Sequence, residues 1–289
     1  KYNGDKWASI FFRMPDILYD LMQKNKNGFI KLSSLVKFEY GNKPGIVEFF
    51  ILSEERQRQL KIENEYLQRI VTSTHEIESC SIDLDRLKNY AFVCQDSKSD
   101  LKRKGNKNAL NYIEWGEKQK TTKKGTHSIE GVFWKNVSSV KTNAPYWYSF
   151  NIKSTGDFIV PLLIREKFFF AANNNKIIDT NMFYHGKFKD SKLKDCGVAV
   201  LNSTLSYLFL EIYGRHNIPG RFNIYGLELE NLLIPNFTTY SESSCKKIKD
   251  AFEKAQDART EILKVMNSRI AKAKTSVSKY APKIKVINI

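Results

Sequence analysis

Between Lys98 and Lys135 the chain places Lys98, Lys102, Arg103, Lys104, Lys107, Lys118, Lys120, Lys123, Lys124 and Lys135 against Asp100, Glu114, Glu117 and Glu130. Cations at that density, with Gly105, Gly116 and Gly125 among them, suit a polyanion, because Lys and Arg meet phosphate oxygens without reading any base. The candidates for phosphate contact are Lys102, Arg103, Lys104, Lys107, Lys120, Lys123 and Lys124. A solvated surface loop is the competing assignment for the same residues. The chain as a whole carries 47 Lys+Arg against 31 Asp+Glu, a formal net charge of +16. A field of that sign attracts nucleic acid at long range, with a strength that falls as salt rises.

Catalytic constellations do not accompany these cations. A metal-dependent nuclease needs two or three carboxylates sharing a divalent cation beside the scissile phosphate. Asp16 and Glu166-Lys167 lack the intervening acidic residue and the Glu-x-Lys spacing. No Walker loop and no Gly-x-Ser-x-Gly elbow occurs. Cys80, Cys94, Cys196 and Cys245 form no Cys-x-x-Cys pair, and His75, His127, His185 and His216 are isolated. Reduced thiols and no metal site are therefore expected. Without a run of about 18 apolar residues or the order of a secretion signal, the expectation is a soluble, cytoplasmic chain with no membrane partner.

The elements that must position the cations are read from spacing. Pro15 to Met22 is expected to be a short helix with Leu18, Leu21 and Met22 inward. Residues 32–40 and 47–52 read as strands around a Gly41 to Gly45 turn, and residues 158–164, 167–172 and 176–183 as further strands. Phe168, Phe169 and Phe170 are assigned to core packing rather than base stacking. Residues 97–126 are expected to be flexible loops around one short Tyr112 to Trp115 element. Leu201, Leu205, Leu208 and Ile212 recur at helical spacing, and Gly214 sits where a helix end favours positive φ. Beyond Pro235, a Thr239-x-x-Glu242 capping box opens a long helix with a stripe of Ile248, Phe252, Ala255, Ile262, Met266, Ile270 and Ala273. With 42% hydrophobic and 13% aromatic residues, the fold class is α+β: a mixed β-sheet with flanking helices and a long C-terminal helix.

The order of several motifs narrows this further. A helix carrying Leu201-Asn202-Ser203 and ending at Gly214-Arg215 leads through Pro219-Gly220-Arg221-Phe222 to the exit Leu232-Leu233-Ile234-Pro235. Upstream stand Lys6-Trp7, Phe12-Arg13-Met14-Pro15, Glu39-Tyr40-Gly41-Asn42-Lys43-Pro44-Gly45, Glu48-Phe49-Phe50, Tyr112-Ile113-Glu114-Trp115-Gly116-Glu117 and Trp147-Tyr148-Ser149. In this order they resemble the C-terminal target-recognition region of adenine-N6 DNA methyltransferases and the restriction enzymes fused to them. The likeness covers residues 1–237. The long helix that follows, in the segment 238–289, is similar to the one behind each recognition domain of type I restriction specificity subunits.

The resemblance implies a domain that recognises double-stranded DNA by sequence, with the chemistry supplied by a methyltransferase domain of the same polypeptide that holds S-adenosylmethionine. Such enzymes use a Gly-rich strand-to-helix turn and an Asn/Asp-Pro-Pro-Tyr/Phe motif; here only the reversed Ile234-Pro235-Asn236-Phe237 occurs. No methylation and no cofactor are expected of this chain alone. Its start at Lys1 rather than Met fits a fragment of a longer polypeptide. For base contact the resemblance points to Asn42, Lys43, Asn106, Asn108, Arg215 and Arg221, since Arg or Lys matches guanine and Asn matches adenine in the major groove. Arg215 has a second role open, locking the helix end to the core. Asn202, Ser203, Gly214, Trp147 and Tyr148 match family markers whose expected job is structural. The alternative is an RNA-binding or protein-interaction module without DNA sequence specificity.

Overall fold

A computed structural model describes residues 14–25, 27–77, 79–122, 130–164, 168–218 and 221–258. The chain divides between two apolar cores in an interrupted order. It begins the first with α1 (Asp16–Lys24), β1 (Phe29–Lys31), α2 (Leu32–Leu35) and β2 (Val36–Tyr40). The second is built from α3 (Val47–Phe50), β3 (Ile51–Ser53), α4 (Glu54–Leu60), β4 (Leu67–Val71), β5 (Asn89–Phe92), α5 (Lys98–Lys104), α6 (Lys107–Lys118) and α7 (Ser138–Lys141). The chain then returns through β6 (Phe158–Pro161), β7 (Leu163–Ile164), β8 (Ala171–Ala172), β9 (Ile178–Asp179), β10 (Phe183–Phe188), α8 (Lys194–Leu201) and α9 (Thr204–Tyr213). It finishes with β11 (Arg215–Ile218), β12 (Arg221–Asn223), α10 (Gly226–Asn231), β13 (Leu233–Pro235) and a helix α11 over residues 242–258.

The class is α+β. An antiparallel sheet of order β2-β10-β6-β8 backs the first core, where Phe158, Phe170, Phe188, Phe209 and Phe237 are buried. A second sheet, β3-β5-β4-β9, backs a core gathered on Phe49, Phe50 and Phe92. Its last strand is borrowed: β9 lies parallel to β4, with Ile70 opposite Ile178. A third cluster of Val71, Ile77, Leu87, Ile159, Phe169 and Phe183 fills the join. Two smaller sheets pair β1 with β13 and β7 with β12 and β11.

Local structure departs from the sequence expectation wherever side chains must point the same way in succession. Residues 47–52 do not form one strand, because Phe49 and Phe50 are both fully buried and strand alternation would turn one of them outward; one helical turn precedes β3. Leu32 and Leu35 likewise face inward from α2. Of the expected strand at 167–172, among the described residues 168–172 only Ala171–Ala172 pairs as a strand. Of the loops expected over residues 97–126, the described part, 97–122, is largely helical. Ser97 Oγ accepts the Asp100 N–H at 3.0 Å to cap α5, and Leu101, Ala109, Leu110, Tyr112, Ile113 and Gly116 bury one side of the α5–α6 pair. The lysines occupy the outer faces of helices and do not unfold them.

The expected single helix across residues 197–213 is two. It breaks at Asn202-Ser203, the two limbs meeting at 78°, and Ser203 Oγ caps α9 through the Ser206 N–H. Gly214 has φ −71°; it is needed because a Cβ there would lie 1.9 Å from Cζ of Phe222. At α11 the cap is Ser241, whose Oγ accepts the Ser244 N–H at 3.2 Å, while Thr239 ends a preceding 3-10 turn. Ile248 and Phe252 pack on the first core as expected, and Ala255 is exposed. The Lys6-Trp7 and Phe12-Arg13 positions, Glu166-Lys167, Pro219-Gly220, and Ile262, Met266, Ile270 and Ala273 lie outside the described residues. Among the described residues no helix is long and apolar enough to cross a membrane; the bent α8–α9 pair is apolar because it lines the first core.

Candidate nucleic-acid interface

The loop between β2 and α3 is held by its own sequence. A Cβ on Gly41 would come within 2.1 Å of the Thr180 carbonyl oxygen, so only glycine lets the loop lie against the β9–β10 turn. Asn42, 2% exposed, donates from Nδ2 to the carbonyls of Asp179 (3.2 Å) and Ser154 (3.4 Å) and accepts the Lys153 N–H at 3.0 Å. Beneath it, Ser154 Oγ lies 2.7 Å from His185 Nε2 and 2.6 Å from Glu39 Oε2, and His185 Nδ1 lies 3.1 Å from Asp179 Oδ1. Hydrogen bonds from Lys37 and Ser154 hold the Glu39 carboxyl down to about 2. Burial works against charge on both His185 and Asp179, yet the carboxylates raise the His185 pKa, and burial raises that of Asp179. This knot ties together both chain crossings between the two cores. Lys43 emerges from it exposed.

Lys43 stands on the wall of a cleft of about 820 Å3. An arm and a turn contribute to the same cleft. The arm pairs residues 119–121 with 131–134: the Thr121 N–H donates to Val132 O at 2.8 Å, the Trp134 N–H to Gln119 O at 3.0 Å, and Lys120 bridges to Phe133. Lys120 Nζ sits 4.6 Å from the centre of the Phe133 ring. Lys123 and Lys124 lie outside the described residues. The turn supplies Thr180, Asn181 and Met182, and the short segment before α7 supplies Asn136 and Val137. Val47 and Met182 remain about half exposed, at 44% and 46%. Apolar walls with a few converging polar groups describe a ligand site.

The other sequence candidates are distributed around the second core and the hairpin end. On α5, Lys102 is exposed, whereas Arg103 pairs with Asp100 and Lys104 with Asp96, each at 2.6 Å. The Lys104 ammonium, then the Tyr66 hydroxyl, hold the Asp96 carboxyl below its usual range. Lys107 is exposed at the start of α6. Asn106 donates to Glu65 Oε1 (2.6 Å) and Tyr66 Oη (2.7 Å), and Asn108 donates to the Lys61 carbonyl at 2.8 Å. Arg215 Nε donates to the buried Glu228 at 2.7 Å and its guanidinium lies over Tyr225, which is the locking role left open in the sequence. Arg221 is a backbone partner of Ile218 in the β11–β12 hairpin. Asn42, Asn106, Asn108 and Arg215 thus spend hydrogen-bonding groups inside the fold, and Lys43 is the sequence-chosen base candidate that the cleft includes. Sequence reasoning missed Asn136, Asn181 and Thr180: isolated Asn and Thr residues carry no spacing signal, and two segments far apart in the chain bring them together.

The family markers are structural. Asn202 pairs with the backbone of Phe170 as a strand would, accepting its N–H at 3.0 Å and donating to its carbonyl at 2.9 Å. Tyr112 stacks on Phe49, with ring centres 4.9 Å apart, and its hydroxyl donates to the Phe49 carbonyl. Trp147 packs on the same Phe49 ring, and Tyr148 donates to the Asp96 carbonyl. Among the described residues no three His, Cys, Asp or Glu side chains converge as a metal site.

A family model, that of the type II methyltransferase M.Eco57I, C-terminal domain, matches residues 4–271. Two solved structures share the fold. The type IIG restriction endonuclease BpuSI superposes with a TM-score of 0.54 at 14% identity over 82% of this chain and 28% of its own. The type IIL restriction-modification enzyme MmeI, solved in complex with DNA, gives 0.50 at 17% identity over 80% of this chain and 29% of its own. The chain therefore spans under a third of the length of either. No match is found among curated proteins.

Proposed function

This chain belongs to the family of the M.Eco57I C-terminal domain, and from that membership we propose that it is the sequence-specific duplex-DNA recognition part of a restriction-modification adenine-N6 methyltransferase. The catalytic domain, with its S-adenosylmethionine, belongs to another part of the same polypeptide. The family match over residues 4–271 carries the proposal; the +16 charge and the cleft lined by Lys43 support it.

The division of labour follows from the chemistry. An adenine N6 atom inside a base stack cannot be methylated until the base is extracted. Extraction by one domain requires the duplex to be gripped by another. In this chain Lys102, Lys107, Lys120, Lys123 and Lys124 serve as phosphate contacts that set register, and groups at the cleft meet base edges.

Gel-shift titration of the purified chain with duplex DNA, single-stranded DNA and RNA tests the proposal. Duplex is expected to bind most tightly. Equal or stronger binding of the single strand or RNA would favour the RNA-binding alternative, and magnesium-dependent cleavage would favour a nuclease. Alanine at Lys120, Lys123 and Lys124 together is expected to weaken binding to every duplex and to lower the slope of log affinity against log salt by about 3. An unchanged slope removes the arm from the interface.

A further inference from the structure

We infer that Lys43, Asn136 and Asn181, gathered at the cleft, are the base-reading groups of the proposed DNA interface. The inference rests on the function proposed above and names the side chains that would give it sequence discrimination.

Hydrogen-bonding capacity separates these residues from the other candidates. A side chain that reads a base must offer donors and acceptors that the fold has not already used. Among the described residues, no hydrogen bond or ion pair engages the side chain of Lys43, Asn136 or Asn181, whereas the amides of Asn42, Asn106 and Asn108 are engaged at 2.6–3.4 Å. The three come from separate segments: the Gly41 to Gly45 loop, the turn before α7, and the β9–β10 turn. All three line one cleft. Two amides suit adenine N6 and N7, one ammonium suits guanine O6 and N7, and the exposed Val47 and Met182 suit a thymine methyl.

A second observation points the same way. Thr180 is 5% exposed and lines this cleft, yet its buried Oγ1 has no hydrogen-bond partner among the described residues. Buried hydroxyls in folded proteins are nearly always satisfied. A water enclosed at the cleft floor, beneath a bound base, would supply what the fold omits. Among the described residues no carboxylate lines the cleft, which leaves an electronegative base edge unopposed.

Selection of bound duplexes from a random library, followed by affinity ratios of selected against scrambled duplex, tests the assignment. Asn136→Ala and Asn181→Ala are each expected to lower the ratio roughly 5- to 150-fold, with preference relaxed at one position of the site. Affinity for the scrambled duplex should change less than about twofold, since no phosphate charge is removed. Asn108→Ala, whose amide is engaged with Lys61, should leave the selected sequence unchanged. Circular dichroism melting of each variant separates lost discrimination from lost folding, and Asn→Ser variants keep a polar side chain where alanine destabilises. Undiminished discrimination in the folded Asn136 and Asn181 variants overturns the assignment while leaving duplex recognition intact. Failure of the wild-type chain to prefer duplex overturns both.

Discussion

His185 joins three oxygen groups that cannot all be served with one proton fewer. Ser154 has a single hydroxyl proton and donates it to Glu39 at 2.6 Å. His185 Nε2, 2.7 Å from the same oxygen, must then carry a proton, and another must lie between Nδ1 and Asp179. Remove one and two acceptors face each other at hydrogen-bond distance. The raised pKa values of His185 and Asp179 have a definite sign: folded-state values above the unfolded ones give stability that is complete below the unfolded values and lost as pH rises through the folded ones. Thermal melts are therefore expected to fall as pH rises above the ordinary histidine value of 6.5, with a flatter slope in His185→Gln; an equal slope would place the titration elsewhere. Asn202→Ala strips Phe170 of partners for both its N–H and its carbonyl. It should cost roughly 2 to 4 kcal/mol, measured by urea unfolding.

At the scale of elements, the basic helices divide into charge that holds the fold and charge that faces outward. Lys104 and Arg103 are matched by Asp96 and Asp100, while Lys102 and Lys107 are exposed on the same pair of helices. Lys102→Ala with Lys107→Ala is expected to lower the salt slope of duplex binding by about 2 with little change in melting temperature. Lys104→Ala should do the reverse, losing melting temperature while keeping most of the affinity. The reason α5 and α6 form at all lies on their inner side. Gly116, Ile113 and Tyr112 close on Phe49 and Phe92, so the positive outer face rests on an aromatic one.

For the whole molecule, the consequence of the interrupted chain order is a join made of few parts: the parallel β4–β9 pairing, the His185 knot and the cluster around Phe169 and Phe183. The cleft opens at this join, with Thr180 and Met182 from the first body and Val47, Asn136 and Val137 from the second. Truncating Phe183, which is fully buried there, should cost roughly 3 to 5 kcal/mol and fall mainly on the join. Calorimetry of Phe183→Ala is expected to resolve two transitions where the wild type shows one; a single lowered transition would mean that the two cores unfold together regardless of the join.

Much of this organisation is contained in local sequence. Apolar spacing placed α1, although its Leu21 is exposed, and β2, β6 and the inward Phe168–Phe170 run, while the strand expected at 176–183 meets β10 only at Phe183; the ordered motifs pointed to the family, because periodicity and short motifs are properties of neighbouring residues. The paired helices over residues 98–118 were obscured by their lysines: net charge reports an outer face and says nothing of the buried stripe beneath. The fate of individual hydrogen-bonding groups was decided only in three dimensions. Asn42 and Asn181 are the same residue type on comparable turns, yet one amide is used by Asp179 and Ser154 and the other stands at a cleft. Which groups a fold consumes depends on segments more than a hundred residues apart, and that information exists only once the chain has closed on itself.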